Sequence, residues 1–289
     1  MRNKLLCLLL SGVLLLSAAY AQTNKPWFKV LSYNIQEGLK KDSVKRNTFI
    51  RWADKVDADV IALQEVNHYT NADLEKLGKE MNYPYTALLK ERGYPVALIS
   101  RYPIRNIKRV ADQMLHGYLY GEIKGYHFIV LHLNPFDYRK RNDELSHVFE
   151  QINALPKSSK ILIMGDFNSL SPQDSLNYNY NRRKLEMLVR HEASRPNIKN
   201  VNNGKFDYSV IQSLLSAGFV DSWKLMNPSS FEKSAPTPIM KADRDQYVRI
   251  DYIWASKRLA KRIAVANIIK DEITDRLSDH YPMILTLKK

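Results

Sequence analysis

Several polar residues of this sequence stand where an apolar run stops. FKVLSYN ends at Asn34, VIALQE at Glu65, FIVLHLN at His132 and Asn134, and ILIMGDFN at Asp166 and Asn168. VRIDYIW carries Asp251, and LSDHYP sets Asp279 and His280 just ahead of the last apolar run. Singly, each has an ordinary structural use: Asn34 could open a turn, Glu65 cap a helix, His132 sit satisfied in the core, and Asp166 with Asn168 close an Asx-turn. Together they supply oxygen ligands for a hard divalent cation, donors for phosphate oxygens and a proton carrier, which is the equipment of metal-assisted phosphoester hydrolysis. The competing signatures are missing: there is no G-x-x-x-x-G-K-[ST], no H-E-x-x-H, no G-x-S-x-G and no EF-hand loop.

Such residues need rigid elements to bring them together. From Trp27 onward, short apolar runs alternate with amphipathic ones. Strands are expected at 27–35, 59–66, 160–164, 247–255, 262–270 and 282–287, with TALLK, VALISRYPI, LYGEIK and YHFIVLHLN between them. The apolar spacing predicts helices over 43–56, 72–82, 139–155 and 208–217, the third stopped by Pro156 and the last closed by Gly218. The stretch 171–206, with NYNYNRRK at 177–184, reads as a polar, aromatic and basic surface excursion, and 227–246 as a long loop. No Pro/Gly/Ser-rich boundary divides the chain, so one domain is expected, with sheets packed face to face and helices outside.

The first residues carry Arg2 and Lys4 ahead of an apolar run from Leu5 to Leu16, then Ala19-Tyr20-Ala21. That pattern is expected to be a cleaved secretory signal over 1–21, leaving 22–289 as a soluble catalytic domain, secreted or periplasmic. Cys7 is the only cysteine, so the processed chain would have none, excluding thiol catalysis and zinc-thiolate sites. The whole sequence has 44 Lys and Arg against 30 Asp and Glu, a net +14; removing Arg2 and Lys4 leaves 42 against 30, or +12. The excess points toward anionic partners, although a lysine-rich solubilising surface explains it equally well.

SYNIQEG, LQEV, SRYPI, LHLN, MGDFNS, RIDYIW and SDHYP occur in this order from Ser32 to Pro282. As an ordered set they resemble the endonuclease/exonuclease/phosphatase superfamily, the deoxyribonuclease I-like fold. The resemblance implies an α/β fold, a four-layer sandwich of two packed mixed β-sheets flanked by helices, with the site at one end. It implies that Glu65 is the central ligand to Mg2+ or Mn2+, with Asn34 touching metal or phosphate and Asp279 a further metal-side carboxylate. Asp166 would orient or deprotonate the attacking water and Asn168 hold the phosphate. His280 would be polarised by Asp251, and His132 would contact the phosphate or protonate the leaving oxygen. Arg101, in SRYPI, is a candidate phosphate contact, with pairing to a carboxylate as its structural alternative.

That superfamily spans several substrates, and fold alone does not choose among them. GDFNS and RIDYIW depart from the inositol polyphosphate phosphatase pattern. The basic excess and NYNYNRRK suit a nucleic-acid strand, with arginine on phosphates and tyrosine on bases. A phosphomonoesterase, a sphingomyelinase-like lipid phosphodiesterase entering membranes through Phe231 or APTPIM, and a non-catalytic binding module are the alternatives. A monomer with no stable protein partner is expected.

Overall fold

The computed structural model describes residues 26–289, so the expected signal segment lies outside the described residues. The strands in chain order are β1 (Trp27–Asn34), β2 (Val60–Gln64), β3 (Tyr85–Leu88), β4 (Ala97–Ser100), β5 (Arg105–Val110), β6 (Tyr118–Ile123), β7 (Tyr126–His132) and β8 (Lys160–Asp166). A two-stranded ribbon, β9 (Val201–Asn202) and β10 (Lys205–Phe206), precedes β11 (Phe219–Asp221), β12 (Asp251–Ser256), β13 (Ile263–Ile268) and β14 (Met283–Lys288). Apart from that ribbon they form two six-stranded sheets, ordered β13-β14-β1-β2-β4-β3 and β11-β12-β8-β7-β6-β5.

Both sheets share one pairing pattern. A single parallel pair lies in the middle, β1 with β2 and β7 with β8, and the remaining neighbours are antiparallel. Parallel partners finish at the same end, and an antiparallel neighbour starts there. Each sheet therefore brings its four central strands to one edge of the sandwich: the ends of β1 and β2 with the starts of β14 and β4 from one, the ends of β8 and β7 with the starts of β12 and β6 from the other. At the opposite edge Trp27 pairs with Lys288, and Lys289 N–H donates to the Pro26 carbonyl at 3.0 Å.

The main helices are α1 (Ser43–Val56), α2 (Asn71–Glu80), α3 (Tyr138–Asn153), α4 (Arg182–Ser194) and α5 (Ser209–Ser216). α1 starts where Asp42 accepts the Val44 and Lys45 N–H groups, a cap worth about 1 kcal/mol, and α3 where Asp137 accepts that of Arg139. Burial arranges these elements in four layers. Between the sheets lie side chains such as Phe28, Val30, Ala62, Val130, Met164 and Ile253. Phe49 and Trp52 of α1 with Leu74 and Leu77 of α2 cover the first sheet's outer face through Leu31, Tyr33 and Leu63. Leu145 and Val148 of α3 with Val210 and Leu214 of α5 cover the second sheet through Ile129, Leu131 and Ile163. The expected two-sheet, four-layer sandwich is the observed fold.

The differences are local. β5, RNIKRV, is an edge strand with no expected counterpart; its residues are exposed or half-buried and its register slips between Arg105 and Lys108. The excursion contains α4, with Lys184 as its one fully buried residue, so no apolar stripe announced it. The strand expected to begin at residue 247 begins at Asp251, because Ser234 to Ala235 pair with Val248 in a bridge instead.

Candidate active site

Asn34 joins the two sheets at the convergent edge. Its Nδ2 donates to Glu65 Oε1 at 3.1 Å and to Asp166 Oδ2 at 3.2 Å. Glu65 follows β2 with a φ of 56°, and its Oε2 accepts the Glu37 N–H at 2.9 Å. That N–H belongs to an unusual segment: Gln36 through Lys41 all have φ between 44° and 66°. Left-handed backbone costs a non-glycine residue about 1 kcal/mol or more, and such strain collects where geometry serves function. Two contacts hold the segment in place, the Gly38 N–H on the Glu65 carbonyl at 2.7 Å and Leu39 buried in the helix layer. A Cβ on Gly38 would sit 2.2 Å from the Asn67 carbonyl oxygen, so only glycine fits.

Asp166 ends β8 and is almost fully buried. Gly165, before it, brings the backbone so close to β7 that a Cβ would meet the Leu131 carbonyl at 1.9 Å. Phe167 turns into the outer core of the second sheet. Asn168 has a φ of 49°, so the chain is not extended there, and the two polar side chains do not simply share a face as alternation predicts. The Asn168 N–H donates to Asp166 Oδ1 at 2.8 Å, while its Nδ2 donates to the Leu133 carbonyl at 3.0 Å, tying β8 to β7. One amide donor therefore already serves the scaffold.

Two histidines flank Asp166 Oδ2: His132 Nε2 at 3.6 Å and His280 Nε2 at 3.8 Å. Their surroundings push them apart. Burial lowers His280, but the charge and hydrogen bond of Asp251, with Asp166 and Asp279, outweigh it and hold the imidazole well above its ordinary value. Asp251 Oδ2 lies 2.8 Å from His280 Nδ1 and accepts the Ser234 hydroxyl at 2.7 Å. For His132, burial and then the neighbouring His116 and His280 push the ring well below its ordinary value. Its ring stacks on that of His116 with centroids 4.4 Å apart, and Tyr94 tilts against His116 at 5.3 Å. One histidine is thus favoured as a cation and the other as neutral, a division suited to distinct acid–base roles. Asp166 itself is pushed up to about 7, first by burial and then by the charge of Asp251, which suits a base working near neutrality.

The site also fits a divalent cation. Glu65 is raised, chiefly by burial, with the nearby Asp279 charge adding to it. Carboxylates crowded in a low-dielectric pocket, with oxygen donors and no thiolate, are what a hard cation would stabilise. Asp166, Asp251 and His280 can each present one ligand atom within 4.8 Å of the others. Because Asp251 Oδ2 and His280 Nδ1 already bond each other, the Asn34–Glu65 side, open to Asp279, is the better seat for a metal.

Of the nine residues the sequence singles out as site residues, eight lie at this edge. Arg101 does not. Ser100 pairs with Val60, the first residue of β2, and the Arg101 N–H donates to the Asp59 carbonyl, which places Arg101 at the other end of the sheet, roughly 20 Å from Glu65 at about 3.3 Å per residue. There its Nη1 lies 2.5 Å from Asp57 Oδ1 and its guanidinium covers the Tyr83 ring at 4.8 Å, so its work is structural. Asn134, another strand-end residue, turns away to accept the Phe136 and Asp137 N–H groups at the start of α3.

Sequence reasoning missed several contributors. Ser234 accepts the Ile250 and Asp251 N–H groups while donating to the Asp251 carboxylate, and it sits in a polar loop without any pattern to mark it. His116 and Tyr94 lie in turns. Arg249, within RIDYIW, is fully buried: Nε lies 2.7 Å and Nη2 2.6 Å from Asp174 Oδ2, and Nη1 2.6 Å from Asp221 Oδ2. Lys224 Nζ completes the network at 2.8 Å from Asp174 Oδ1. A buried arginine two residues before Asp251 was the available signal, since it must be paired.

The family model described as the Endonuclease/Exonuclease/phosphatase family matches residues 31–280. The chain is 28% identical over 177 residues to the uncharacterized protein YbhP of Escherichia coli K12, covering 51% of this chain and 69% of that protein. It is similar to the structure of an AP endonuclease from Archaeoglobus fulgidus (17% identity, 91% of this chain and 100% of the other, TM-score 0.67). It is also similar to the 3' phosphatase NExo from Neisseria, bound to product DNA hairpin (16% identity, 91% and 100%, TM-score 0.68). A third similar structure is Danio rerio TDP2 complexed with single-strand DNA product (17% identity, 92% and 100%, TM-score 0.61).

Proposed function

Because this chain belongs to the endonuclease/exonuclease/phosphatase family, we propose that it is a divalent-metal-dependent phosphoester hydrolase acting on nucleic acid. The observation that carries the reading is Asp166, linked through Asn34 to Glu65 and flanked by two histidines of opposite charge preference. Mg2+ or Mn2+ held by Glu65, with Asn34 and Asp279, would stabilise charge on the phosphoryl oxygens. Asp166, raised to about 7, takes a proton from water, whose oxygen forms the new bond to phosphorus as the leaving oxygen departs. His280, kept charged by Asp251, donates to a phosphoryl oxygen and stabilises the negative charge building there. Neutral His132 stands on the other side of Asp166, placed to hydrogen-bond the phosphate, and the leaving oxygen takes its proton from solvent water. Asn168 keeps one amide donor for the phosphate. Net charge +14, and the DNA bound in similar structures, support a polynucleotide as the substrate. The signal-like 1–21 segment supports action outside the cytoplasm.

The test is a panel of plasmid DNA, RNA, sphingomyelin, inositol phosphates and a generic phosphodiester, each in Mg2+, in Mn2+ and in chelator. DNA or RNA should be cleaved only with metal, with a rate that falls steeply as salt rises. Glu65→Ala and His280→Ala should abolish cleavage while staying folded. No hydrolysis of any substrate, or full activity in either variant, refutes the reading; salt-indifferent activity on monoesters alone refutes the polynucleotide.

A further inference from the structure

A cavity of about 510 Å³ opens between the excursion and the loop that follows β11. Lys184, Lys233, Arg244 and Lys270 line it, against one carboxylate, Glu232. Four positive charges facing one negative leave a local excess of three, and the single carboxylate is already engaged by the Lys270 ammonium. Lys184 is occupied too, donating to the Asp245 and Tyr247 carbonyls at 2.9 and 2.8 Å.

Lys233 differs from these. It is 8% exposed, and among the described residues its ammonium has neither a hydrogen-bond acceptor nor an ion-pair partner. It rests on the face of Tyr247, 3.5 Å from the ring centroid, with Tyr281 at 5.8 Å. A ring face attracts a cation but accepts none of its three N–H bonds in the way an oxygen does. With its stem buried and only ring faces against it, this ammonium keeps its N–H bonds for whatever enters the cavity, and an anion would satisfy them best. Arg244 is exposed at the mouth, and Phe231 and Tyr178 add apolar walls. The cavity size suits a small ligand, and its chemistry suits an anion with several acceptor oxygens.

We propose that this pocket is a phosphate-binding subsite, in which the Lys233 ammonium, with Arg244 and Lys270 at the rim, holds a phosphate group. Its position gives the subsite a use. Lys233 precedes Ser234, which supports Asp251, and Tyr281 follows His280, so pocket and catalytic edge share the same two chain segments. For a substrate with several phosphates, it would hold one group while another is attacked; this use rests on the phosphoesterase reading, whereas the binding does not.

The experiment is titration of the full-length protein with inorganic phosphate by calorimetry, in chelator and at low ionic strength. One saturable site is expected, weakened at least tenfold in Lys233→Met and severalfold in Arg244→Ser and Lys270→Gln, and unaffected in His280→Ala. The two rim residues are exposed, so their variants give an answer even if Lys233→Met fails to fold. No saturable binding, binding unchanged in the lysine and arginine variants, or binding lost only in His280→Ala overturns the proposal. Because the readout is binding, a protein that cleaves no phosphoester yet binds phosphate through Lys233 would refute the hydrolase reading and support the pocket.

Discussion

Replacing Arg249 with methionine should destabilise the protein by about 4 kcal/mol, within the range for breaking a buried ion pair from one side. The guanidinium lies within 2.6 Å of Asp221 Oδ2 and of Asp174 Oδ2, and Arg249 and Asp174 are wholly buried. At 2.6 Å, Coulomb's law with an effective dielectric of 20 gives a gross attraction of about 6 kcal/mol per pair, most of which offsets desolvation. Removing the arginine leaves that desolvation cost with the carboxylates. Lys224 still compensates Asp174, while Asp221 keeps the Trp223 and Lys224 N–H groups it caps. The loss is a large share of the roughly 5–15 kcal/mol typical of a folded domain, and should lower the melting temperature by about 10 °C. Adding Asp221→Asn to Arg249→Met should cost less than about 1 kcal/mol more, since asparagine still caps and the lost partner is not missed. Urea unfolding at 25 °C followed by tryptophan fluorescence measures the parent, Arg249→Met, Asp221→Asn alone and the double variant. A single variant within about 1 kcal/mol of the parent, or double-variant losses that simply add, would refute the reasoning.

Arg101→Ala should leave phosphoester hydrolysis within about twofold of the parent and cost about 1 kcal/mol of stability, because its partner Asp57 is partly exposed and screened by solvent; a hundredfold loss of kcat would return Arg101 to the site. His116 is lowered to about 4, first by burial and then by the Lys90 charge, against 6.5 for the free side chain. Between those values the unfolded chain binds a proton that the native chain refuses, so stability is full above pH 6.5 and falls as pH falls toward 4, by up to about 3 kcal/mol. Urea unfolding at pH 7.5 and 5 should show part of this loss, and His116→Asn should make it shallower, the remainder coming from His132, which is also held well below its ordinary value; an unchanged acid slope in the variant would exclude His116 as a source.

Much of the candidate site is legible because its side chains sit at the ends of buried strands, and buried strands are the strongest pattern in this sequence. MGDFN illustrates it: KILIM marks the strand, and Asp166 follows where the run stops. Residues whose role depends on long-range contact left no such mark. Arg101 also follows an apolar strand, but β4 runs antiparallel to β2, and strand direction cannot be read from a local run. Ser234 supports Asp251 across 17 positions, and nothing in KSAPTP separates it from other loop serines. α4 and β5 escaped for a different reason: neither buries an apolar face, so periodicity has nothing to report. Glu37 contributes its backbone N–H, which every non-proline residue has, so its side-chain identity carried no information.

The pairing of Trp27 with Lys288, closed by the Lys289 to Pro26 hydrogen bond, fixes an orientation for anything attached to this protein. Residues 26 and 289 leave the sandwich side by side, at the edge away from Asp166 and His280. A support, fusion partner or tether joined through either residue would hold the protein by its back, with the edge that carries Asp166 and His280 facing outward.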